Sequence, residues 1–332
     1  MKAIVIGRFG SPDVLELVSD YPRPKLQSNQ VLIQVHVAGI NPIDCKAREG
    51  QLRLLEGSKF PLILGNDASG VVVETGSSVT KFKAGDEVFG FLDSYPKPSW
   101  KGFAKSGAYA EFAATREDTL ALKPANMSHI EAASVPLAAL TAYQVFRKTG
   151  VKAGMKMLIN GASGGVGIFA VQLAKHVGCS VTALCSERNH DMVIGLGADH
   201  VIDYKKHPIA SIQGSYDYIY DVAATTSYLQ CRHLLSRTGI FVTNANLTAP
   251  FNMLTTWTLP LLSLIGVKQR TDFAWVKSSG KDLEAIAKII DEGDVKTVID
   301  RIFAMDNASA AHEHSESGRV QGKIIIDIRQ GS

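Results

Sequence analysis

Between Met157 and Val177 the chain reads Met-Leu-Ile-Asn-Gly-Ala-Ser-Gly-Gly-Val-Gly-Ile-Phe-Ala-Val-Gln-Leu-Ala-Lys-His-Val: an apolar strand, a glycine-rich turn and a helix in immediate succession. No other segment constrains the fold as strongly, because it has to form one half of a β-α-β unit. Gly161 permits the sharp turn, Gly164 lets backbone amides approach a phosphate, and Gly167 allows the new helix to lie close on the strand. The helix N-terminus adds unpartnered N–H donors and a partial positive charge. Gly161, Ser163, Gly164, Gly165, Val166 and Gly167 therefore read as a cradle for a nucleotide pyrophosphate. The spacing is G-x-x-G-x-x-G rather than G-x-G-x-x-G, and glycines alone also fit an ordinary tight turn. It is the strand before and the helix after that favour the cradle.

With 332 residues, 45% of them hydrophobic and 20% charged, the chain has an ordinary globular composition and apolar material for two cores. A formal charge of +3 and dispersed Lys and Arg argue against nucleic acid or an acidic membrane surface as partner. Cys45, Cys179, Cys185 and Cys231 form no C-x-x-C pair, which disfavours a zinc ribbon or a disulfide scaffold and suits a reducing compartment. The N-terminal apolar run is too short for a secretion signal, and the apolar stretch Leu259–Val267, interrupted by Pro260, is too short to span a bilayer. A cytoplasmic protein with no integral membrane segment is expected.

Short Val- and Ile-rich runs at 3–6, 31–38, 69–74 and 87–90 predict a mostly antiparallel β domain over residues 1–125. The texture then changes. Helical spacing at 129–149 is followed by strand 156–160, helix 165–177, strand 180–185, a helix near 189–195, strands 200–204 and 217–222, helix 226–235 and strand 240–244. This alternation predicts a doubly wound parallel sheet, an α/β domain over 126–265. The tail, 266–332, offers an edge strand near 273–276, an amphipathic helix near 282–292 and strands at 297–300 and 323–328. These cannot bury a core of their own and are expected to fold back onto the first domain.

A dinucleotide site usually places an acidic residue at the end of the second strand, on the ribose hydroxyls. Here that strand ends in Cys185-Ser186-Glu187-Arg188. Ser186 stands where an NAD-directed carboxylate belongs, and Arg188 is close enough to pair with a 2′-phosphate, which favours NADPH. Glu187 leaves the alternative open, since a shift of one residue would bring a carboxylate to the ribose and favour NAD. Tyr204, ending the next strand, fits either stacking near the adenine ribose or simple strand burial.

Gly161–Gly167, followed by Ala170-Val171-Gln172-Leu173-Ala174-Lys175, resembles the medium-chain dehydrogenase/reductase superfamily in its quinone oxidoreductase branch. Further segments occur in the family's order: Ala38–Asp44, Leu64–Val72, Phe82–Val88 and Val135–Ala142. Cys185–Asn189 and Lys296–Asp300 look most like chloroplast-envelope quinone oxidoreductase homologues and NADPH-dependent enone reductases. The resemblance implies a GroES-like β domain that both chain ends complete, a Rossmann domain, and a homodimer joined through an added edge strand. The superfamily's alcohol dehydrogenases hold catalytic zinc through a cysteine and a histidine whose positions correspond to Asn41 and Asn66. An amide is a poor zinc ligand, so no metal is expected and an NAD-linked zinc alcohol dehydrogenase is disfavoured. His312 and His314 lack metalloprotease spacing and are read as part of a solvated polar segment.

Without a Lewis acid the acceptor must take hydride with little activation, as quinones and α,β-unsaturated carbonyls do, with charge developing on oxygen. Lys46 follows Asn41–Asp44, a segment that lines the nicotinamide cleft in the family, and is the expected donor to that oxygen; a surface lysine is the alternative. Asp44 is expected to orient Lys46, Asn41 to touch substrate or the nicotinamide ribose, and Thr141 to approach the cofactor. Asp67 reads as a cleft carboxylate or a partner holding a turn. Loops 48–60, 91–106 (with Pro96, Pro98 and Trp100) and 245–270 are expected to wall the substrate pocket. An NADPH-binding sensor or interaction protein with little catalysis is the alternative function.

Overall fold

The N-terminal third forms antiparallel β structure because its β-branched runs are short and bounded by turn residues. The structure, a computed structural model, describes residues 1–52, 60–92, 107–244 and 268–330. The first eight strands are β1 (Ala3–Ile6), β2 (Leu15–Val18), β3 (Gln30–Ile40), β4 (Leu62–Ile63), β5 (Asp67–Thr75), β6 (Glu87–Phe91), β7 (Phe112–Arg116) and β8 (Leu120–Leu122). β1 lies between β2 and β4 in a three-stranded sheet. The eleven-residue β3 pairs with both β5 and β7, and β6 and β8 extend the sheet beyond β5. Helix α1 (Pro42–Arg48) leaves the end of β3 directly.

A single helix over 129–149 is not what forms. The segment breaks at Ser134–Val135 into α2 (His129–Ala133) and α3 (Pro136–Thr149), because Pro136 lacks an N–H and disfavours a helical residue before it. Ser128 and Glu131 cap α2 reciprocally: the Glu131 N–H donates to Ser128 Oγ, and the Ser128 N–H donates to Glu131 Oε2 at 2.8 Å. α2 packs on β3 and β5. The first unit accordingly runs to Leu140 rather than ending near 125.

The second unit comprises Thr141–Lys277 and Gly293–Lys296. Its elements are β9 (Lys156–Asn160), α4 (Gly165–Val177), β10 (Ser180–Cys185), α5 (His190–Gly195), β11 (His200–Asp203), β12 (Tyr216–Asp221), α6 (Tyr228–Cys231), β13 (Leu235–Asn244) and β14 (Arg270–Ala274). The strands pair in parallel in the order β11-β10-β9-β12-β13-β14. β9 and β12 have both faces covered, so Met157–Ile159 and Tyr218–Tyr220 are wholly buried. Phe146 of α3 meets Tyr218 and Tyr220 edge-on, at 5.8 and 5.9 Å between ring centres. The expected helix over 226–235 forms as the four-residue α6 continued by a 3-10 turn over Arg232–Leu234, and Leu235 begins the ten-residue β13.

The chain then returns to the first unit through α7 (Gly280–Asp291), β15 (Ile299–Ala304), α8 (Ala308–Glu316) and β16 (Lys323–Asp327). β16 inserts between β15 and β3, giving the order β15-β16-β3-β5-β6-β8. All five of its residues are buried. Ile324 and Ile326 join Ile4, Ile6, Ile33 and Ala311 in the core, each isoleucine contributing about 1.5–3 kcal/mol by burial.

The expectation of a solvated segment around His312 is overturned. His312 is fully buried on α8, with Nδ1 against Arg48 at 3.3 Å and Nε2 against the Tyr109 hydroxyl at 3.2 Å. Burial lowers its pKa to about 3, helped by the Arg48 charge, so it is a neutral core residue. His314 pairs with Asp300. The polar letters of this segment misled because one face of α8, carrying Ala308, Ala311 and His312, turns inward.

Candidate active site

In the second unit the strand order reverses between β9 and β12, and ligands of doubly wound sheets bind at the carboxyl ends of strands at such a point. The glycine turn is there. Gly161 has φ +83°, and a Cβ on it would meet Ala223 at 2.9 Å. A Cβ on Gly167 would lie 2.1 Å from the Gly161 carbonyl oxygen, so only glycine lets α4 start this close to β9. Gly164 differs: its backbone is extended, and an added Cβ would meet nothing nearer than Gly161 O at 3.5 Å. Among the described residues nothing else comes within 4 Å of that position. Among the described residues no side chain caps α4, whose N-cap is Gly164, and the first-turn amides, Gly165, Val166 and Gly167, have no intrahelical acceptors. An open glycine surface and uncapped amides fit a dinucleotide pyrophosphate.

Ser163 Oγ accepts a hydrogen bond from Asn189 Nδ2 at 2.8 Å, tying the turn to the segment after β10. Two groups that the sequence did not single out brace the same edge. Asn160, the last residue of β9, donates from Nδ2 to Asp221 Oδ1 at 2.8 Å and to Thr225 Oγ1 at 2.9 Å. Asp221, the last residue of β12, also accepts from the Thr226 N–H at 2.8 Å. Burial raises the Asp221 pKa against these bonds. A polar residue closing each of two buried strands, one just before the glycine turn, was the available signal.

β10 and β11 end level, Cys185 opposite Asp203. Ser186 is buried at the first turn beyond β10, while Glu187 and Arg188 are exposed. Tyr204, 48% exposed, lies just beyond β11 and is not a buried strand residue. Lys206 of the same turn pairs with Glu187 at 2.8 Å. The carboxylate that left an NAD reading open is thus engaged by a lysine. Thr141 is buried on α3.

In the first unit, Asn41 follows β3 directly and caps α1, whose first residue, Pro42, cannot donate an N–H and fits there for that reason. The Asn41 N–H donates to Asp44 Oδ2 at 2.8 Å, and Asn66 Nδ2 donates to Asp44 Oδ1 at 2.9 Å. Asp44 therefore braces the start of α1 and does not hold Lys46. Asn41 Nδ2 donates to Asp67 Oδ2 at 2.9 Å, and the Leu137 N–H donates to Asp67 Oδ1 at 2.8 Å. Lys323 completes the group, donating to Asn41 Oδ1 at 2.5 Å and to Asp67 Oδ2 at 3.2 Å. Asn41 and Lys323 are each 2% exposed and Asp67 not at all. Burial raises the Asp67 pKa, opposed by Lys323 and Asn41. Sequence reasoning missed Lys323, although a lysine heading the run Lys-Ile-Ile-Ile-Asp was a visible anomaly.

Lys46 is half-buried on α1, and among the described residues its ammonium has no hydrogen-bond or ion-pair partner. The neighbouring Cys45 thiol is pushed up to about 12 by burial, so it is an inert thiol. The donor set of carboxamides, carboxylates and an ammonium does not fit a zinc ion, which seeks thiolate or imidazole and would meet a cation already in place. Much of the expected pocket wall, 53–59, 93–106 and 245–267, falls outside the described residues, Pro96, Pro98 and Trp100 included.

Residues 27–125 match the family described as alcohol dehydrogenase GroES-like domain, and residues 196–326 the family described as zinc-binding dehydrogenase. The chain is 35% identical to 2-methylene-furan-3-one reductase of Solanum lycopersicum, over 98% of this chain and 79% of that protein. It is 33% identical to the chloroplastic NADPH-dependent alkenal/one oxidoreductase of Arabidopsis thaliana, again over 98% and 79%. Among solved structures, the quinone oxidoreductase from Coxiella burnetii is 34% identical with a TM-score of 0.87, covering 99% of both chains. Among the described residues no helix is long and apolar enough to cross a membrane.

Proposed function

Because the chain belongs to the medium-chain dehydrogenase/reductase superfamily, we propose that this oxidoreductase is zinc-independent and uses NADPH to reduce a quinone or the conjugated double bond of an α,β-unsaturated carbonyl. The observation that carries the reading is the buried group of Asn41, Asp67 and Lys323, an ammonium and amides where zinc chemistry would need thiolate and imidazole. The names of the relatives point the same way, toward enones, alkenals and quinones.

NADPH, when bound, supplies the hydride. The chain's own part divides into holding and polarising. Gly161–Gly167 would receive the pyrophosphate at the start of α4, with Ser163 fixed by Asn189. Ser186, Arg188 and Tyr204 would take the 2′-phosphate and adenine ribose, while Lys206 keeps the Glu187 carboxylate engaged. Thr141 is assigned to the nicotinamide side on family resemblance. Lys46 is the donor to the acceptor's oxygen. Its ammonium polarises the carbonyl, stabilises the enolate or hydroquinone anion as charge develops, and can supply the proton that completes the two-electron reduction. Asn41 and Asp44 shape the turn from which Lys46 projects. β14 is an edge strand ending beside the exposed Trp275, which supports pairing of two copies through that edge.

The test is NADPH and NADH consumption across a panel of enones and quinones, with zinc content measured on the same sample. Acceptor-dependent oxidation of NADPH in preference to NADH by zinc-free protein is the expected result. Lys46→Ala should keep its NADPH affinity and lose about 100- to 1000-fold in turnover, as loss of one such donor typically does. No acceptor-dependent oxidation, despite tight NADPH binding, would refute the reading.

A further inference from the structure

We propose that Lys323 is a positioning residue for this reduction: its buried ammonium fixes the Asn41 carboxamide and, through the turn that Asn41 opens, the helix bearing Lys46. The inference rests on the reductase reading above, and it goes beyond that reading in assigning a role to a residue far away in sequence.

The sheet register brings Lys323 to its task. β16 runs antiparallel to β3 with Ile324 opposite Ile40, which places Lys323 across from Asn41. The Lys323 backbone is fixed by its own N–H, which donates to the Val298 carbonyl at 2.9 Å. From there Nζ reaches Asn41 Oδ1 and Asp67 Oδ2 together, while Asn41 Nδ2 donates to that same Asp67 oxygen. These three side chains close a ring.

The ring dictates direction. An ammonium only donates and a carboxylate only accepts, so a carboxamide between them has one permitted orientation, oxygen toward Lys323 and nitrogen toward Asp67. Turning the amide over would set N–H against ammonium and C=O against carboxylate. Asn41, thus held, donates its backbone N–H to Asp44, and Asp44 is gripped on its other oxygen by Asn66. Asp67 extends the grip to the start of α3 through the Leu137 N–H. Lys46 lies two residues past Asp44 on the helix that this chain of bonds sets. Asn41 itself is nearly inaccessible, so its influence on the reacting groups passes through geometry rather than contact.

A purely neutralising role for Lys323 predicts something different from a positioning role. If the ammonium only compensates Asp67, removing both charges together should restore everything. The test is therefore the double variant Lys323→Met with Asp67→Asn, in the full-length protein, with circular dichroism, melting temperature, NADPH dissociation constant, and kcat and KM on the best acceptor. Positioning predicts a folded protein with unchanged NADPH dissociation constant and KM but kcat at least tenfold lower. A double variant with wild-type kcat overturns it. Asn41→Ala, which leaves the Lys323–Asp67 pair in place, is the second variant should the double one fail to fold; the same split is expected, and wild-type kcat there overturns the proposal equally. Should none of the acceptors support NADPH oxidation by the wild-type protein, the reductase reading falls, and amide hydrogen exchange over residues 41–48 decides whether Lys323 sets the helix. Exchange at least tenfold faster there in the double variant supports that, and unchanged exchange overturns it.

Discussion

Gly164→Ala and Gly167→Ala should fail in different ways, although the two residues are one turn apart in the same motif. At Gly164 the backbone is extended, at φ −84° and ψ 175°, and the new methyl would have only ordinary van der Waals contact with Gly161 O at 3.5 Å. The fold loses no more than an N-cap preference, a few tenths to about 1 kcal/mol. The methyl does stand in front of the amides that would receive phosphate. Losing one hydrogen bond to a charged group costs about 1.5–3 kcal/mol, or roughly 10- to 150-fold in the NADPH dissociation constant at about 1.4 kcal/mol per decade. At Gly167 the methyl would lie 2.1 Å from Gly161 O and 2.7 Å from the Ala162 carbonyl carbon, both backbone atoms that no rotamer change can move aside. Relief requires α4 to shift from β9, an overpacking cost of about 1–3 kcal/mol or more, which lowers the melting temperature by several degrees in a chain of this size. Fluorescence titration with NADPH and a thermal melt read the two effects separately. Wild-type affinity in Gly164→Ala would refute the cradle, and an unchanged melt in Gly167→Ala would refute the packing argument.

Arg188→Ala should raise KM for NADPH about tenfold while leaving KM for NADH unchanged, as loss of one charge-assisted bond to a 2′-phosphate would; equal effects on the two cofactors would remove Arg188 from discrimination. His312 gives the protein an acid sensitivity whose sign follows from its lowered pKa of about 3. Below the unfolded value near 6.5 the unfolded chain binds a proton that the folded protein refuses, so stability is complete above that value and falls with pH by about 1.4 kcal/mol per unit, or about 2 kcal/mol between pH 6.5 and 5. Urea midpoints at pH 7 and pH 5 should therefore separate more in the wild type than in His312→Gln, and equal separations would show that His312 does not titrate this way.

The α/β architecture was legible because each unit repeats a local signal: Val- and Ile-rich runs between turn residues in the first, strand-helix alternation around Gly161–Gly167 in the second. Local signals also set the limits. Helix 129–149 read as continuous because apolar spacing runs through Pro136, and only the missing N–H of proline stops it. His312 read as solvated because burial depends on which face of α8 points to the core, a tertiary fact. For the candidate site, Asn41, Asp44 and Lys46 could be proposed together because they are neighbours in sequence. Lys323 is 282 residues from Asn41, and only the pairing of β16 with β3 brings them together. Asp67 shows the middle case: its two possible roles were foreseen, and its partners on α3 and β16 decide in favour of holding the turn.

That buried group is poorly explained by stability alone. Taking Lys323 and Asp67 out of water costs several kcal/mol per ion, and replacement of such a pair by neutral side chains of similar size is often neutral or stabilising by about 1–4 kcal/mol. The raised pKa of Asp67 shows that desolvation outweighs what Lys323, Asn41 and Leu137 return to its charged form. Asn66, joined to the same network through Asp44, adds a second cost, a buried Oδ1 with no donor among the described residues, typically about 1–3 kcal/mol. Two such costs in one cluster are what a functional site shows when geometry matters more than stability. What charge supplies and an isosteric neutral pair cannot is direction, because only donor-against-acceptor polarity forbids the turned-over Asn41 amide. The Lys323→Met, Asp67→Asn double variant should therefore melt at or above the wild-type temperature while turning over more slowly. A variant that is markedly less stable would show instead that the pair holds the fold together, and the case for geometry over stability would fail.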